Sequence, residues 1–227
     1  MKIEELKTYV IHCKSFIERR KSMETQLDTF GFKNVTWFLD YDGNELDQTT
    51  IDEWYTPAFW YQRFIPEFYD GVVSKQRILE KSSISVVIKN AKIYEQIANS
   101  DDEYALVLED DVLFDENFKD LEPYMEHAPE DWDLIFIGSC CDLKIENVVD
   151  GQYFYKKESP SSKCADSFLI KKDAARKLAN GLKRFSLPID FELNYHLHCH
   201  KMNVYWTEPS LTKQGSETGL FKTHRTV

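Results

Sequence analysis

Short apolar runs alternate with segments of helical period along most of this chain, and that alternation leaves few folds open to it. Thr8–Cys13 (TYVIHC) is β-branched and apolar, which predicts a buried strand. Ser15, followed three residues on by Glu18, has the form of a capping box, so a helix is predicted to open there. Phe16, Met23, Leu27 and Phe30 then recur at helical spacing, and Gly31 stands where helices commonly stop. Asn34–Leu39 (NVTWFL) is the next predicted strand, closed by the turn signal Asp40-Tyr41-Asp42-Gly43. A helix joining two short apolar strands makes a βαβ unit, and such units build parallel sheets.

The alternation resumes after an interruption. Residues 44–82 are dense in aromatic residues and broken by Pro57 and Pro66, so they read as an insertion or flap. Most of its rings are expected to form a satellite cluster, with Trp60 or Tyr61 turned toward a ligand. Ser82–Ser100 has helical spacing, Tyr104–Leu108 (YALVL) and Trp132–Ile137 (WDLIFI) read as buried strands, and residues 142–163 as loops or a hairpin. Ala165–Ile170 is read as a strand, Asp173–Phe185 and Asp190–Lys201 as helices, and Asn203–Trp206 as a last strand before a polar tail. No linker divides the chain, so one domain over 1–227 is expected.

Charge excludes one large class of function. The formal net charge is -11, and binding to a phosphate backbone needs a basic footprint, so a nucleic-acid partner is not expected. No stretch approaches the ~20 apolar residues of a membrane span. The five cysteines are odd in number and form no CxxC pair, which predicts reduced, mostly buried thiols and a cytoplasmic location.

The residues that carry chemistry follow the strand YALVL. Glu109-Asp110-Asp111 sets three carboxylates in a row, and they repel one another unless a cation relieves them. Strand alternation would turn Glu109 and Asp111 to one side and Asp110 to the other. Two carboxylates at the C-terminal end of a strand suit a hard cation, Mg²⁺ or Mn²⁺, and ligands of open α/β sheets bind at that edge. The plainer reading is a solvated acidic turn. A phosphatase with an aspartyl nucleophile would want Asp where Glu109 stands.

YALVLEDDVLF, followed some twenty residues on by WDLIFIGS, resembles glycosyltransferase family 25, which includes bacterial lipopolysaccharide sugar transferases and collagen galactosyltransferases. YVIHCKSFIERRKSMETQL, WFLDYDG, KIYEQIA, SFLIKKDAARKL, PIDFEL and EPSLTKQGS are similar to further segments of that family, in order. Two places depart from its pattern: Ile11-His12-Cys13, where Ile-Asn-Leu is common, and Lys89-Asn90, where a His often stands.

The resemblance implies a GT-A-like, Rossmann-type α/β sandwich that binds a nucleotide sugar on a mainly parallel sheet. A nucleotide-binding half would span about residues 1–140, and an acceptor-binding half about 141–227. It implies transfer of a hexose, galactose or glucose, from a UDP-sugar to a glycan or hydroxylysine-type acceptor, with inversion. Mn²⁺ (or Mg²⁺) would be held by Glu109 and Asp111, with His224 added from the tail. Asp190 is the first candidate for general base and Glu192 the second; the plain alternative is that Asp190 caps its helix. Arg19, Arg20, Asp42, Gly43 and Asp110 are the candidate donor-binding residues. Residues 214–224 are expected to be ordered only by ligand. A binding protein without turnover, or a nucleotide-sugar hydrolase, would use the same fold.

Overall fold

A computed structural model describes residues 1–57 and 78–222. Seven strands form one sheet: β1 (Thr8–Ile11), β2 (Val35–Phe38), β3 (Tyr104–Glu109), β5 (Leu134–Phe136), β6 (Phe154–Lys157), β7 (Ser167–Lys171) and β8 (Val204–Thr207), in the order β2-β1-β3-β7-β5-β8-β6. β1 pairs parallel to both β2 and β3, and β5 pairs parallel to β8. β7 runs antiparallel between β3 and β5, and β6 antiparallel at the edge beside β8. Two further strands, β4 (Val112–Phe114) and β9 (Thr212–Gln214), pair as an antiparallel ribbon. The expected mixed α/β architecture with a mainly parallel sheet is the one found.

The α-helices among the described residues are α1 (Ile17–Thr29), α2 (Gln48–Trp54), α3 (Lys81–Asn99), α4 (Leu121–Met125), α5 (Lys172–Gly181) and α6 (Ile189–Cys199). Strand alternation divides the core between two faces. Tyr9, Ile11, Ala105 and Val107 face one apolar cluster with Val87, Ile88 and Tyr94 of α3 and Leu178 of α5. Val10, Leu106 and Leu108 face the other, with Met23 and Leu27 of α1 and Leu121 of α4. Both sheet faces are therefore covered, which is why these strands read as nearly continuous apolar runs.

Several expectations are corrected here. Ser15 does not cap α1: its hydroxyl lies 3.2 Å from Cys13 Sγ, and the cap position falls to Phe16, which makes no side-chain cap bond. Residues 142–163 contain the edge strand β6. The thiols are not all reduced, because Cys140 and Cys164 are joined as a disulfide. The tail is tied down as far as Lys222: Gly215 N donates to Asp111 O at 2.7 Å, and Arg19 Nη2 to Lys222 O at 2.8 Å. Trp60, Tyr61 and His224 lie outside the described residues.

Candidate active site

The sheet topology gathers acids at one edge. β1, β3 and β5 are parallel, so their C-terminal ends lie together, and antiparallel β7 brings its N-terminal end to that same edge. Glu109 closes β3, and its backbone N–H donates to Asp166 O at 2.7 Å, just before β7 begins. Asp166 was not singled out in the sequence. Its one signal is position, an acid directly before an apolar strand, and its meaning depends on that strand running backwards. Gly138, after β5, packs so closely that a Cβ there would lie 2.2 Å from Asp166 Oδ2 and 2.3 Å from Ser167 Oγ, so only glycine fits.

β3 ends at Glu109, and Asp110-Asp111 form a turn, so strand alternation does not extend through the triplet. Arg19 Nη1 lies 3.0 Å from Asp110 Oδ1 and 3.8 Å from Asp111 Oδ2. Asp110 is buried and occupied: its Oδ2 lies 2.7 Å from His12 Nδ1 and accepts from Cys13 N at 3.2 Å. It ties the ends of β1 and β3 to α1. Half-buried Glu109 accepts from Gln214 Nε2 at 3.4 Å, and Asp111 accepts hydrogen bonds from Ser216. The β4–β9 ribbon places both of those partners.

The acids share one low-dielectric neighbourhood. Burial, then the charges of Asp111, Asp190 and Asp166, push the Glu109 carboxyl well above its usual range. Burial raises Asp111 too, although Ser216 and Arg19 oppose it. Burial pushes Asp166 up to about 7, against the hydrogen bond from Ser167. Asp111 Oδ1 and Asp166 Oδ1 are buried oxygens without a hydrogen-bond partner. Buried acceptors are normally satisfied, so each of these oxygens can take a further donor or a cation.

A pH dependence follows from Asp166. Its folded value lies above the ordinary 3.8, so across that window the folded protein holds a proton that the unfolded chain has released. Stability from this group is present below about pH 4 and is lost as pH rises through about 7. The thermal midpoint of the cation-free protein is expected to fall over that range, and less steeply in Asp166→Asn. Parallel profiles for the two proteins would contradict the assignment.

Asp190 sits half-buried in the first turn of α6, and its charge bears on Glu109, Asp166 and Tyr94. It does not hold the cap position, which is Pro188. Glu192 is fully buried, and its Oε1 accepts from Ser186 N at 2.7 Å and Leu187 N at 2.9 Å, so this carboxylate fixes the turn before α6. Arg20 pairs with Glu24, and its guanidinium lies 3.4 Å from the Trp37 ring centroid, apart from the acids. Gly43 packs against the start of α3, with a Cβ there 3.1 Å from Ser82 backbone atoms.

Asp42 and Lys89 form a buried ion pair. Burial alone would raise Asp42, but the bonds from Lys89 and from Lys14 N hold it below its usual value. Lys89 Nζ also donates to His12 O at 2.6 Å. The two departures noted in the sequence are thus adjacent in space: His12 grips Asp110, and Lys89 links His12 to Asp42. Removing either member of such a pair leaves a buried charge uncompensated.

The donor set around the acids is carboxylate oxygen, which fits a hard divalent cation. Mg²⁺-like ions are commonly held by one or two carboxylates, with substrate phosphates and water completing the shell. Glu109, Asp111 and Asp166 are carboxylates of that kind, raised by burial at the same edge of the sheet.

The model of glycosyltransferase family 25 (LPS biosynthesis protein) matches residues 5–193. No curated protein matches the chain.

Proposed function

Because the chain belongs to glycosyltransferase family 25, we propose that it moves a hexose, galactose or glucose, from a UDP-sugar to a hydroxyl acceptor, with inversion at the sugar carbon. As a glycosyltransferase it needs a sugar donor and an acceptor, and a glycan or hydroxylysine-type hydroxyl suits the second role. No helix among the described residues is long and apolar enough to cross a membrane.

One observation carries the reading: raised, mutually repelling carboxyls converge at the ligand-binding edge of the sheet, and two of their buried oxygens are unpartnered. In this proposal Glu109 and Asp111 hold Mn²⁺ or Mg²⁺, which when bound supplies Lewis-acid relief of the charge on the departing UDP. Arg19 and Asp110 keep the acidic turn in place. Asp42 and Gly43 shape the donor side through Lys89 and the start of α3. Asp190 takes the acceptor proton, and Glu192 is left to the turn before α6. Residues 1–140 supply most of the donor side, and 141–227 supply Asp166, Asp190 and the segment over the acidic turn.

A panel of nucleotide sugars tests the proposal. Release of UDP from UDP-galactose or UDP-glucose is expected only with Mn²⁺ or Mg²⁺ present, and faster with a hydroxyl acceptor. Release from no UDP-sugar, or release unaffected by chelation of the cation, would overturn it.

A further inference from the structure

Three cysteines meet in a second place. The sulfur atoms of Cys140, Cys141 and Cys164 all lie within 4.8 Å of one another. Cys140 is buried, Cys164 half-buried and Cys141 exposed. A plain disulfide would need only two of the three, and Cys141 stands beside the other two as a third. Glu217 stands beside them: Cys141 N donates to its Oε1 and Oε2 at 2.8 and 3.0 Å, and Cys141 Sγ lies 3.3 Å from Oε1.

The backbone is shaped to bring these groups together. Cys141, Asp142 and Cys164 have φ of 52°, 54° and 61°. Side chains other than glycine avoid the left-handed region, and residues held there cluster at functional sites. Cys141 and Cys164 reach the cluster in this conformation from two separate loops.

We propose that the reduced trio Cys140, Cys141 and Cys164 binds one thiophilic d¹⁰ cation of the Zn²⁺ class, with Glu217 as oxygen ligand, and that the Cys140–Cys164 disulfide is the oxidised, metal-free form of this site. Zn²⁺ takes Cys sulfur at ~2.3 Å and carboxylate oxygen at ~2.0–2.2 Å in a tetrahedron, so its sulfurs sit roughly 3.8 Å apart, a spacing the Cys140 and Cys164 sulfurs reach only once their bond is reduced. Reduction is balanced with a thiol or phosphine as reductant, and re-forming the disulfide after the cation leaves takes a two-electron oxidant such as a small disulfide. Two electrons break the Cys140–Cys164 bond and give two thiolates, while the reductant is oxidised to its disulfide or phosphine oxide. The cation then displaces whatever protons the sulfurs retain. Bound there, it would clamp the loop after β5, the loop before β7 and the segment after β9. These same three segments place Gly138, Asp166 and Ser216.

The site stands independently of the sugar-transfer proposal, and its test reads sulfur ligation directly. Protein reduced with a phosphine and desalted without oxygen is titrated with Zn²⁺ against a chromophoric chelator, then with Co²⁺. Thiolate-to-cobalt charge-transfer absorption arises only from sulfur ligands, so an ion at the carboxylates does not imitate it. One thiol-bound ion per chain is expected in reduced protein and none at the thiols in oxidised protein. Cys141→Ser and Cys164→Ser should each weaken binding by roughly 100-fold or more, and Glu217→Gln by about 10-fold. Cys199→Ser, on the exposed end of α6, should change nothing. Reduced wild type without charge-transfer absorption, or affinity in Cys141→Ser within a few-fold of wild type, would overturn the proposal and leave a structural disulfide.

Discussion

The double variant Glu109→Ala/Asp111→Ala is expected to lose Mn²⁺-dependent UDP binding, by at least about 10²-fold, while keeping its fold. The loss follows from the proposed donor set: these two carboxylates would supply the protein's ligands, and Asp110 cannot replace them because His12, Cys13 N and Arg19 occupy it. Retention of the fold follows from the electrostatics. Burial and neighbouring charges raise both carboxyls, so in the cation-free protein their ionised forms oppose folding. Calorimetry of UDP binding with and without Mn²⁺, beside circular dichroism, reads both halves. A folded double variant with wild-type Mn²⁺-dependent UDP affinity would remove Glu109 and Asp111 from the site.

Asp190→Asn is expected to lower turnover by roughly 10²–10⁴ while UDP affinity changes little. The amide is nearly isosteric and keeps the first turn of α6 intact, but it does not accept the acceptor's proton. Asp190 is the candidate because, among the described acids that act on Glu109 and Asp166, it is the one that combines that reach with partial exposure. Glu192 is spent on two backbone amides, and Asp166 is fully buried. Turnover within a few-fold of wild type would reduce Asp190 to a favourable charge at a helix N-terminus. Loss of UDP affinity in proportion to turnover would make it a donor-binding residue.

The parts of the fold that could be read in the sequence are those fixed by local periodicity. β1, α1 and β2 were legible because both sheet faces are covered, which leaves the strands as plain apolar runs. Glu109-Asp110-Asp111 was legible because like charges after a buried strand need a reason. The β4–β9 ribbon was not legible: each strand has three residues, and Val112 finds its partner at Gln214. Asp166 was hidden because no local pattern announces that β7 runs against its neighbours. Ser15 and Glu18 matched a capping box in spacing, yet α1 begins two residues after Ser15. The cysteine trio depends on two loops whose sulfurs are 24 residues apart in the chain, which no spacing rule captured.

The central claim is that the acidic edge of the sheet holds a divalent cation together with the donor's diphosphate. Anomalous scattering from crystals grown with Mn²⁺ and UDP tests it most directly. One manganese peak is expected within bonding distance of the Glu109 or Asp111 carboxylate and of the UDP phosphates. UDP bound at that edge with no manganese beside it, or manganese and UDP together elsewhere on the molecule, would contradict the account.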